Sequence, residues 1–427
     1  MSNNTLFGVE LPARRGFSVP IQIVEQGGIS AWLVEDHSVP VVSVAWAWPQ
    51  GAAADPRGKE GLANISAAML SEGAGNLSNV GFADALMDAG IGLSFTGGRD
   101  SFEGSFRALA DALPEAVRLA RLAMTQPRLD AEALSRVRAR ALVASRQSLE
   151  TPAGLARRAF WEAGFPNFTA GRLSTPESIA AIGQDDIRAC LGAQLTRGNL
   201  LVAASGAIDV AGLRALLAEL FGALPGHPIP DTPPLPNLAE FGVALRPKAA
   251  PQSTLVFGQD GLLPTDPDWE AFQVALRILA GGGFTSRLMK SVREERGLTY
   301  GIGAGLDLLF GRAVIIGNVQ TANASVGEVW GLIRSAWTEM AVGGPTEAEV
   351  ADALAFLGGS LPLQFTDSRR TANLLLNLRQ AGRAPDWLAG RPARLAAIDR
   401  ARVAGVAARV LKPEGLGLAV SGEPVGL

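Results

Sequence analysis

Three residue types that often build reactive sites are scarce in this sequence of 427 residues. It contains one cysteine, Cys190, two histidines, His37 and His227, and one tyrosine, Tyr300. A single cysteine excludes an intrachain disulfide framework and a zinc cluster held by cysteines. No histidine lies near Cys190 in the sequence, so we interpret this cysteine as a structural thiol rather than a nucleophile.

The sequence also lacks a surplus of basic residues and long apolar runs. Its formal net charge is −3, which argues against a nucleic-acid partner, because such proteins normally present a basic face. No apolar run approaches the roughly 18 residues that a membrane-spanning helix needs, and no apolar core follows Met1 as it does in a signal peptide. We therefore predict a cytoplasmic protein without a membrane span, or a periplasmic one if Met1 was added to a processed chain.

What the sequence does contain is the composition of a globular protein in two halves. Hydrophobic residues make up 48% of the chain and charged residues 19%, and its length suits two domains. Six of the twelve residues 225–236 are proline, which indicates a semi-rigid linker because proline interrupts helices and central strands. We predict an N-terminal domain over residues 1–224, a linker over 225–246 and a C-terminal domain over 247–427.

The two halves repeat each other in order. Ile179–Ile182 aligns with Leu395–Ile398, and the same offset places Ser205-Gly206 on Ser421-Gly422. In each half the pattern predicts a helix and then a short apolar strand that ends at the Ser-Gly pair. Strands followed by helices in both halves indicate two homologous α+β domains, with mostly antiparallel sheets covered by helices.

Periodicity predicts several individual elements in these halves. Alternating apolar residues indicate strands, a Gly-Gly pair between two strands indicates a hairpin, and apolar residues at helical spacing indicate amphipathic helices. The predicted elements are strands at Val41–Trp48 and Ser253–Phe257, a hairpin of Leu93–Thr96 with Ser101–Phe106, and helices over Pro114–Ala123 and Ala131–Leu149.

Three stretches of the sequence carry a family resemblance. They are D-P-R-G-K-E-G-L-A at Asp55–Ala63, E-S-I at Glu177–Ile179, and G-G-G-F-T-S-R-L at Gly281–Leu288 followed by R-E-E-R-G-L-T-Y at Arg293–Tyr300. Together they resemble the insulinase/pitrilysin family of zinc peptidases, peptidase M16, over nearly the whole chain. In that family the first stretch leads into the inverted zinc motif H-x-x-E-H. The resemblance implies a bacterial subunit of the two-subunit type.

The sequence departs from this family at the zinc motif. The resemblance aligns the two histidines with Asn64 and Ala68, the glutamate with Ala67, and the third zinc ligand with a position near Ala144. In the family the histidines bind zinc and the glutamate takes a proton from the bound water. Alanine has no donor atom and one asparagine cannot hold zinc alone, so we predict no metal and no cofactor in this chain.

The helix that would carry the motif is still predicted. Leu62, Ile65 and Met69 recur at helical spacing and should be buried on the opposite face. The two histidines offer no replacement site, because His37 lies in a predicted turn and His227 in the predicted linker. We interpret both histidines as surface residues.

Arg293 and Tyr300, in contrast, are present. In pitrilysin-family peptidases an arginine and a tyrosine at this spacing come from the C-terminal half and face the zinc site across the cavity. The resemblance implies that they bond the substrate carbonyl groups and help to stabilise the oxyanion, a task suited to guanidinium and phenol donors. The alternative is that Arg293 only favours a helix C-terminus, which Gly297 would cap, and that Tyr300 only begins a strand.

Three functions are compatible with these features. The first is a non-catalytic subunit of a heterodimeric zinc peptidase, which brings Arg293 and Tyr300 to a peptide substrate beside an H-x-x-E-H partner that holds the zinc. The second is a structural subunit, like the core subunits of respiratory complexes that resemble this family, and the third is a stand-alone peptide-binding module. The strand at Leu93–Thr96 corresponds to the edge strand on which active family members bind an extended peptide by β-augmentation. In this chain that strand is either vestigial or lines a shared chamber. We expect no hydrolysis from this chain alone.

Overall fold

The computed structural model describes residues 18–427 in full. Before them it describes only the backbone of two short antiparallel strands, β1 (Thr5–Leu6) and β2 (Val9–Glu10). The N-terminal residues on which the expectation about a signal peptide depends lie outside this described part. No helix within the described part is long and apolar enough to cross a membrane.

The N-terminal half builds a six-stranded sheet. Its strands are β3 (Gln22–Gln26), β4 (Ile29–Glu35), β5 (Val41–Pro49), β6 (Gly92–Gly97), β7 (Ser101–Leu109) and β8 (Leu201–Gly206). Their spatial order is β3-β4-β8-β5-β7-β6, and every neighbouring pair is antiparallel except β4 with β8. The helices are α1 (Leu62–Met69), α2 (Asn79–Asp88), α3 (Leu113–Thr125), α4 (Ala131–Glu150), α5 (Pro152–Gly164), α6 (Pro176–Ala180), α7 (Gln184–Gln194) and α8 (Val210–Phe221).

The C-terminal half builds a five-stranded sheet in the order β11-β12-β10-β13-β9. Its strands are β9 (Val243–Pro247), β10 (Gln252–Asp260), β11 (Ile302–Leu309), β12 (Arg312–Ala322) and β13 (Gly417–Gly422). The helices are α9 (Trp269–Leu276), α10 (Val326–Gly343), α11 (Glu347–Gly359), α12 (Ser368–Gln380), α13 (Trp387–Ala396) and α14 (Arg400–Val410). Arg277–Gly281 and Met289–Glu294 are π-helical. Short 3₁₀ turns lie at Gly51–Ala54, Thr169–Gly171, Gly283–Thr285, Asn323–Ser325, Pro362–Phe365 and Pro413–Gly415.

The two sheets have the same topology. The strand order β4-β8-β5-β7-β6 corresponds to β9-β13-β10-β12-β11, and in each sheet the first pair is parallel and the others are antiparallel. Strands β8 and β13 both end in Ser-Gly, and their glycines, Gly206 and Gly422, both have positive φ angles of 123° and 141°. The predicted fold of two duplicated α+β domains is confirmed.

The predicted elements match this structure, with one difference at the linker. The strands and hairpin correspond to β5, β10 and β6–β7, and the helices correspond to α3 and α4. Residues 225–242 form neither helix nor strand, but residues 243–246 of the predicted linker belong to β9. Strand β9 is an edge strand that joins the sheet by pairing with β13. Its side chains are largely exposed, with Val243 at 50%, so its sequence lacks the apolar run of a buried strand.

The two halves exchange one helix each. Helix α5 of the N-terminal half packs on strands β10 and β13 of the C-terminal sheet, and α12 of the C-terminal half packs on β5 and β8. Both contacts are buried apolar clusters: the first includes Ala159, Phe160, Val256, Val314 and Ala419, and the second includes Trp32, Ala45, Ala203, Ala372 and Leu375. Neither half therefore contains its whole core, and the two sheets are held in a fixed relation to each other.

Candidate functional site

Helix α1, which would carry a zinc motif, is anchored by a buried carboxylate. Asp55 Oδ2 accepts a hydrogen bond from the Gly61 amide at 2.7 Å, and Asp55 Oδ1 accepts one from the Ala63 amide at 2.9 Å. These amides belong to the first turn, where helical donors have no partner within the helix. Burial raises the pKa of Asp55 to about 6, although these two hydrogen bonds act to lower it.

The E-S-I stretch holds the chain just before α1. Ser178 Oγ donates to the backbone carbonyl of Glu60 at 2.8 Å, and the Ser178 amide donates to Thr175 Oγ1 at 3.1 Å in a capping box at the start of α6. As predicted, Leu62 and Ile65 are buried on the inner face of α1. The N-terminus of α1 is thus held by residues other than those of a zinc motif, whereas Ala67, at the glutamate position of the motif, packs in the core.

The outer face of α1 does not fit a zinc ion. Asn64 is exposed, Ala68 is half-buried and Ala67 is buried, and only Asn64 offers a side-chain donor atom. Zinc in proteins is usually held by three or four nitrogen, sulfur or carboxylate ligands. Within residues 18–427, no three His, Cys, Asp or Glu side chains lie together as a metal-binding group.

The histidines and the cysteine occupy ordinary positions. His37 Nε2 lies 2.8 Å from Glu35 Oε1 at an exposed site, and His227 is exposed in the linker. Cys190 is partly buried on α7 as a free thiol, and burial raises the pKa of that thiol to about 11. A thiol with a raised pKa is a poor nucleophile, in agreement with a structural role for Cys190.

A cavity of about 310 Å³ adjoins the outer face of α1. Asn64 from α1 and Ala144 from α4 both line it, so the position aligned with the first zinc ligand lies at the same cavity as the region of α4 predicted to align with the third. Helix α5 also lines the cavity, with Arg157 and Arg158 among its lining residues. Sequence analysis missed these two arginines, because adjacent helical residues face different directions and no pattern assigned either one to a site.

Arg293 and Tyr300 lie in contact with each other. Arg293 belongs to the π-helical segment Met289–Glu294, which ends where the Gly297 amide donates to the Arg293 carbonyl at 2.9 Å. Gly297 has a φ of 65°, so the predicted glycine cap is present. The chain then turns back and places the Tyr300 ring centroid 5.1 Å from Arg293 Cζ.

Phe284 is a third member of this cluster, and the sequence analysis did not identify it. Its ring centroid lies 4.6 Å from Arg293 Cζ. Phe284 is 63% exposed and Tyr300 is 91% exposed, so both rings adjoin the guanidinium and are also open to another molecule. The only signal in the sequence is that an aromatic residue directly follows the glycines at 281–283. Neither Arg293 nor Tyr300 lines the cavity beside Asn64, so the two features occupy separate places in the chain.

The strand that corresponds by resemblance to a peptide-binding strand, β6, is an edge strand next to α1. It ends the N-terminal sheet beyond β7, and α1 packs against it. At Gly97 a Cβ atom would lie 2.2 Å from the carbonyl oxygen of Ala63, so only glycine permits this approach. The outer edge of β6 is unpaired with any other strand in the described residues, the arrangement that β-augmentation requires.

Comparisons with known proteins agree on one family. Residues 181–357 match the family model described as the peptidase M16 inactive domain. The non-peptidase homolog YmxG of Helicobacter pylori is 24% identical over 345 residues, which are 80% of each chain. The uncharacterized zinc protease ML0855 of Mycobacterium leprae is 27% identical over 218 residues, so this chain spans about half of it, 48%.

Solved structures share the fold over nearly the whole chain. The peptidase M16 inactive domain from Pseudomonas fluorescens has a TM-score of 0.88 and 23% identity, and the match covers 95% of this chain and 99% of that one. A protease from Helicobacter pylori has a TM-score of 0.85 and 15% identity, and the match covers 95% of this chain and 100% of that one. At these identities the likeness establishes the fold alone.

Proposed function

Since the chain belongs to the peptidase M16 family as an inactive member, we propose that it is the non-catalytic subunit of a heterodimeric zinc peptidase. Its partner has the same fold, carries the intact H-x-x-E-H motif and holds the zinc. This chain contributes Arg293 and Tyr300 to the peptide substrate bound between the two subunits. The observation that carries the proposal is an exposed Arg–Tyr contact in a chain whose zinc positions hold no set of ligands.

The chemistry of the pair suits a carbonyl group under attack. A guanidinium presents five N–H donors in one plane and a phenol presents one O–H donor. Stacking on an aromatic ring orients the guanidinium without consuming its N–H groups. The carbonyl oxygen gains negative charge as a water adds to the carbon, and donors that are already in place stabilise that charge.

The two subunits have different tasks in this proposal. Zinc in the partner would polarise the carbonyl group and activate the water. Arg293 and Tyr300 bind and orient the same carbonyl from the opposite side, so they affect turnover without affecting how zinc is held. The exposure of Tyr300 is consistent with a ligand outside this chain, because a phenol used only for packing would be covered.

The test is a reconstituted cleavage assay with a partner subunit that contains H-x-x-E-H. Loss of one donor to an oxyanion typically lowers kcat about 10²–10³-fold, so we expect R293A and Y300F each to lower kcat by that order with partner zinc unchanged. The matched control is R296A, since Arg296 is exposed one turn further along and pairs with Glu328 at 3.6 Å. Wild-type turnover by both R293A and Y300F in a complex that still assembles would refute the proposal.

The second candidate is a structural subunit with no part in proteolysis. This candidate is favoured by the similarity to YmxG of Helicobacter pylori, which is described as a non-peptidase homolog and is matched over 80% of its length. In that case the chain joins a stable assembly whose activity does not depend on Arg293 or Tyr300. The same two variants therefore separate the candidates, since only the first requires a loss of kcat.

A further inference from the structure

The cavity beside Asn64 differs from a metal site in charge as well as in ligands. In an H-x-x-E-H site the metal is accompanied by two carboxylates, the motif glutamate and the third ligand. Here the glutamate position holds Ala67, the third ligand aligns near Ala144, and Ala144 lines the cavity, whose lining residues include no carboxylate. The carboxylates that would repel an anion are therefore missing from this wall.

Arg158, which lines the cavity from α5, is a buried arginine that neutral groups hold in place. Arg158 is 7% exposed, and its Nη1 donates to the Ser174 carbonyl at 2.9 Å and to Ser148 Oγ at 3.4 Å. Its Nη2 donates to the Leu173 carbonyl at 3.2 Å. The nearest carboxylate oxygen, in Glu162, is 3.9 Å from Nε, so the charge of Arg158 is only weakly compensated.

Arg157 adds a second positive charge, and this one is free. It is exposed and lines the same cavity, but it forms no hydrogen bond or ion pair with any residue of 18–427. The other arginines nearby are already paired, Arg99 with Asp307 at 3.3 Å and Arg172 with Glu60 at 3.1 Å. Among the described residues around this cavity, Arg157 is thus the arginine whose guanidinium remains available to a ligand.

We propose that this cavity binds the C-terminal carboxylate of a peptide, with Arg157 as its principal ligand-binding residue. A guanidinium binds a carboxylate through two parallel N–H···O hydrogen bonds. Asn64 of α1 offers an amide donor in the same cavity, and Leu173 and Ile179 line it with apolar surface suited to the last side chain of the peptide. The proposal rests on the proposed function in one respect, since it takes the ligand to be a peptide.

The test measures peptide binding to the isolated full chain without a partner subunit. Two fluorescent peptides of one sequence are compared by anisotropy, one with a free C-terminus and one amidated. Hydrogen bonds to charged groups contribute about 1.5–3 kcal/mol, so we expect the free acid to bind about tenfold to a hundredfold more tightly. In R157A this preference should disappear, and in R146A it should persist, because Arg146 is an exposed arginine of α4 outside the cavity.

Several outcomes would overturn the proposal. They are equal affinity for the two peptides, no binding of either, or a free-acid preference that survives in R157A. A third peptide, amidated and with one internal aspartate, separates the two sources of a carboxylate. If it alone binds in an Arg157-dependent manner, the assignment to a C-terminus is wrong. Failure of the subunit proposal is visible elsewhere, in the R293A and Y300F cleavage assay, which does not use the Arg157 variant.

Discussion

The carboxyl group of Asp55 should make the stability of this protein depend on pH between about 4 and 6. The group is buried at the start of α1, and burial raises its pKa to about 6. In an unfolded chain an aspartate has a pKa of about 3.9. The folded protein therefore takes up this proton more readily than the unfolded chain does. Hence the contribution of Asp55 to the free energy of unfolding is largest below pH 4 and falls as the pH rises to 6.

The size of the effect follows from the same two values. A difference of about two pKa units corresponds to roughly 3 kcal/mol, and the pKa of about 6 already includes the opposing effect of the hydrogen bonds from Gly61 and Ala63. We therefore expect a loss of about 1–3 kcal/mol from this group between pH 4 and pH 7. The substitution D55N removes the titration and retains an oxygen that can accept one of the two amide hydrogen bonds.

The assay is denaturant unfolding of the wild type and of D55N at a series of pH values. The difference in unfolding free energy, wild type minus D55N, should decrease as the pH rises from 4 to 6 and stay constant above. The control is D186N, because the hydrogen bond from Lys59 lowers the pKa of Asp186, so the D186N difference should change below about pH 4 and stay nearly flat from pH 4 to 6. A difference for D55N that is flat or rises over this range would show that the carboxylate anchoring α1 is not desolvated.

Two further changes test the packing of the C-terminal half. L375A removes a fully buried side chain of α12 from the cluster on the N-terminal sheet, so it should lower the unfolding free energy by about 2–5 kcal/mol. The control L363A alters a side chain that is 65% exposed, and a similar loss in both variants would contradict the helix exchange. E349Q should destabilise the protein by about 1–3 kcal/mol at neutral pH, because hydrogen bonds from Arg287 at 2.7 Å lower the pKa of Glu349 to about 2. Since that pKa is depressed, the contribution is present above pH 4.5 and lost as the pH falls towards 2, and an E349Q defect that persists unchanged at pH 2 would argue against this ion pair.

Local features of the fold were predictable because local residues determine them. The apolar spacing of Leu62 and Ile65 predicts a helix with one buried face, and that face is buried. The contact between Arg293 and Tyr300 is also largely local, since a glycine cap at Gly297 turns the chain back over the end of the helix. Sequence patterns capture both, because each depends on a few consecutive residues.

Features that depend on distant segments were not predictable. The apolar faces of α5 and α12 indicate that each helix covers a sheet. They do not indicate that each helix covers the sheet of the other half, as the structure shows. Strand β9 joins its sheet through backbone hydrogen bonds, so its side chains carry no strand pattern. The cavity combines Asn64, Ala144 and Arg157 from three helices, and only their packing brings these residues together.

The structure explains how helix α1 keeps its position without a zinc site. The inner face of α1 lies in the core, and its N-terminus is held by Asp55 and, through Glu60, by Ser178; none of these groups depends on a metal. Asn64 is exposed and Ala68 is only partly buried, so these two positions can change without unfolding the helix. Function then has to be sought in side chains that the fold does not need. The 91% exposed Tyr300 and the exposed guanidinium of Arg157 both meet that condition, because a side chain that is largely open to solvent contributes little to stability.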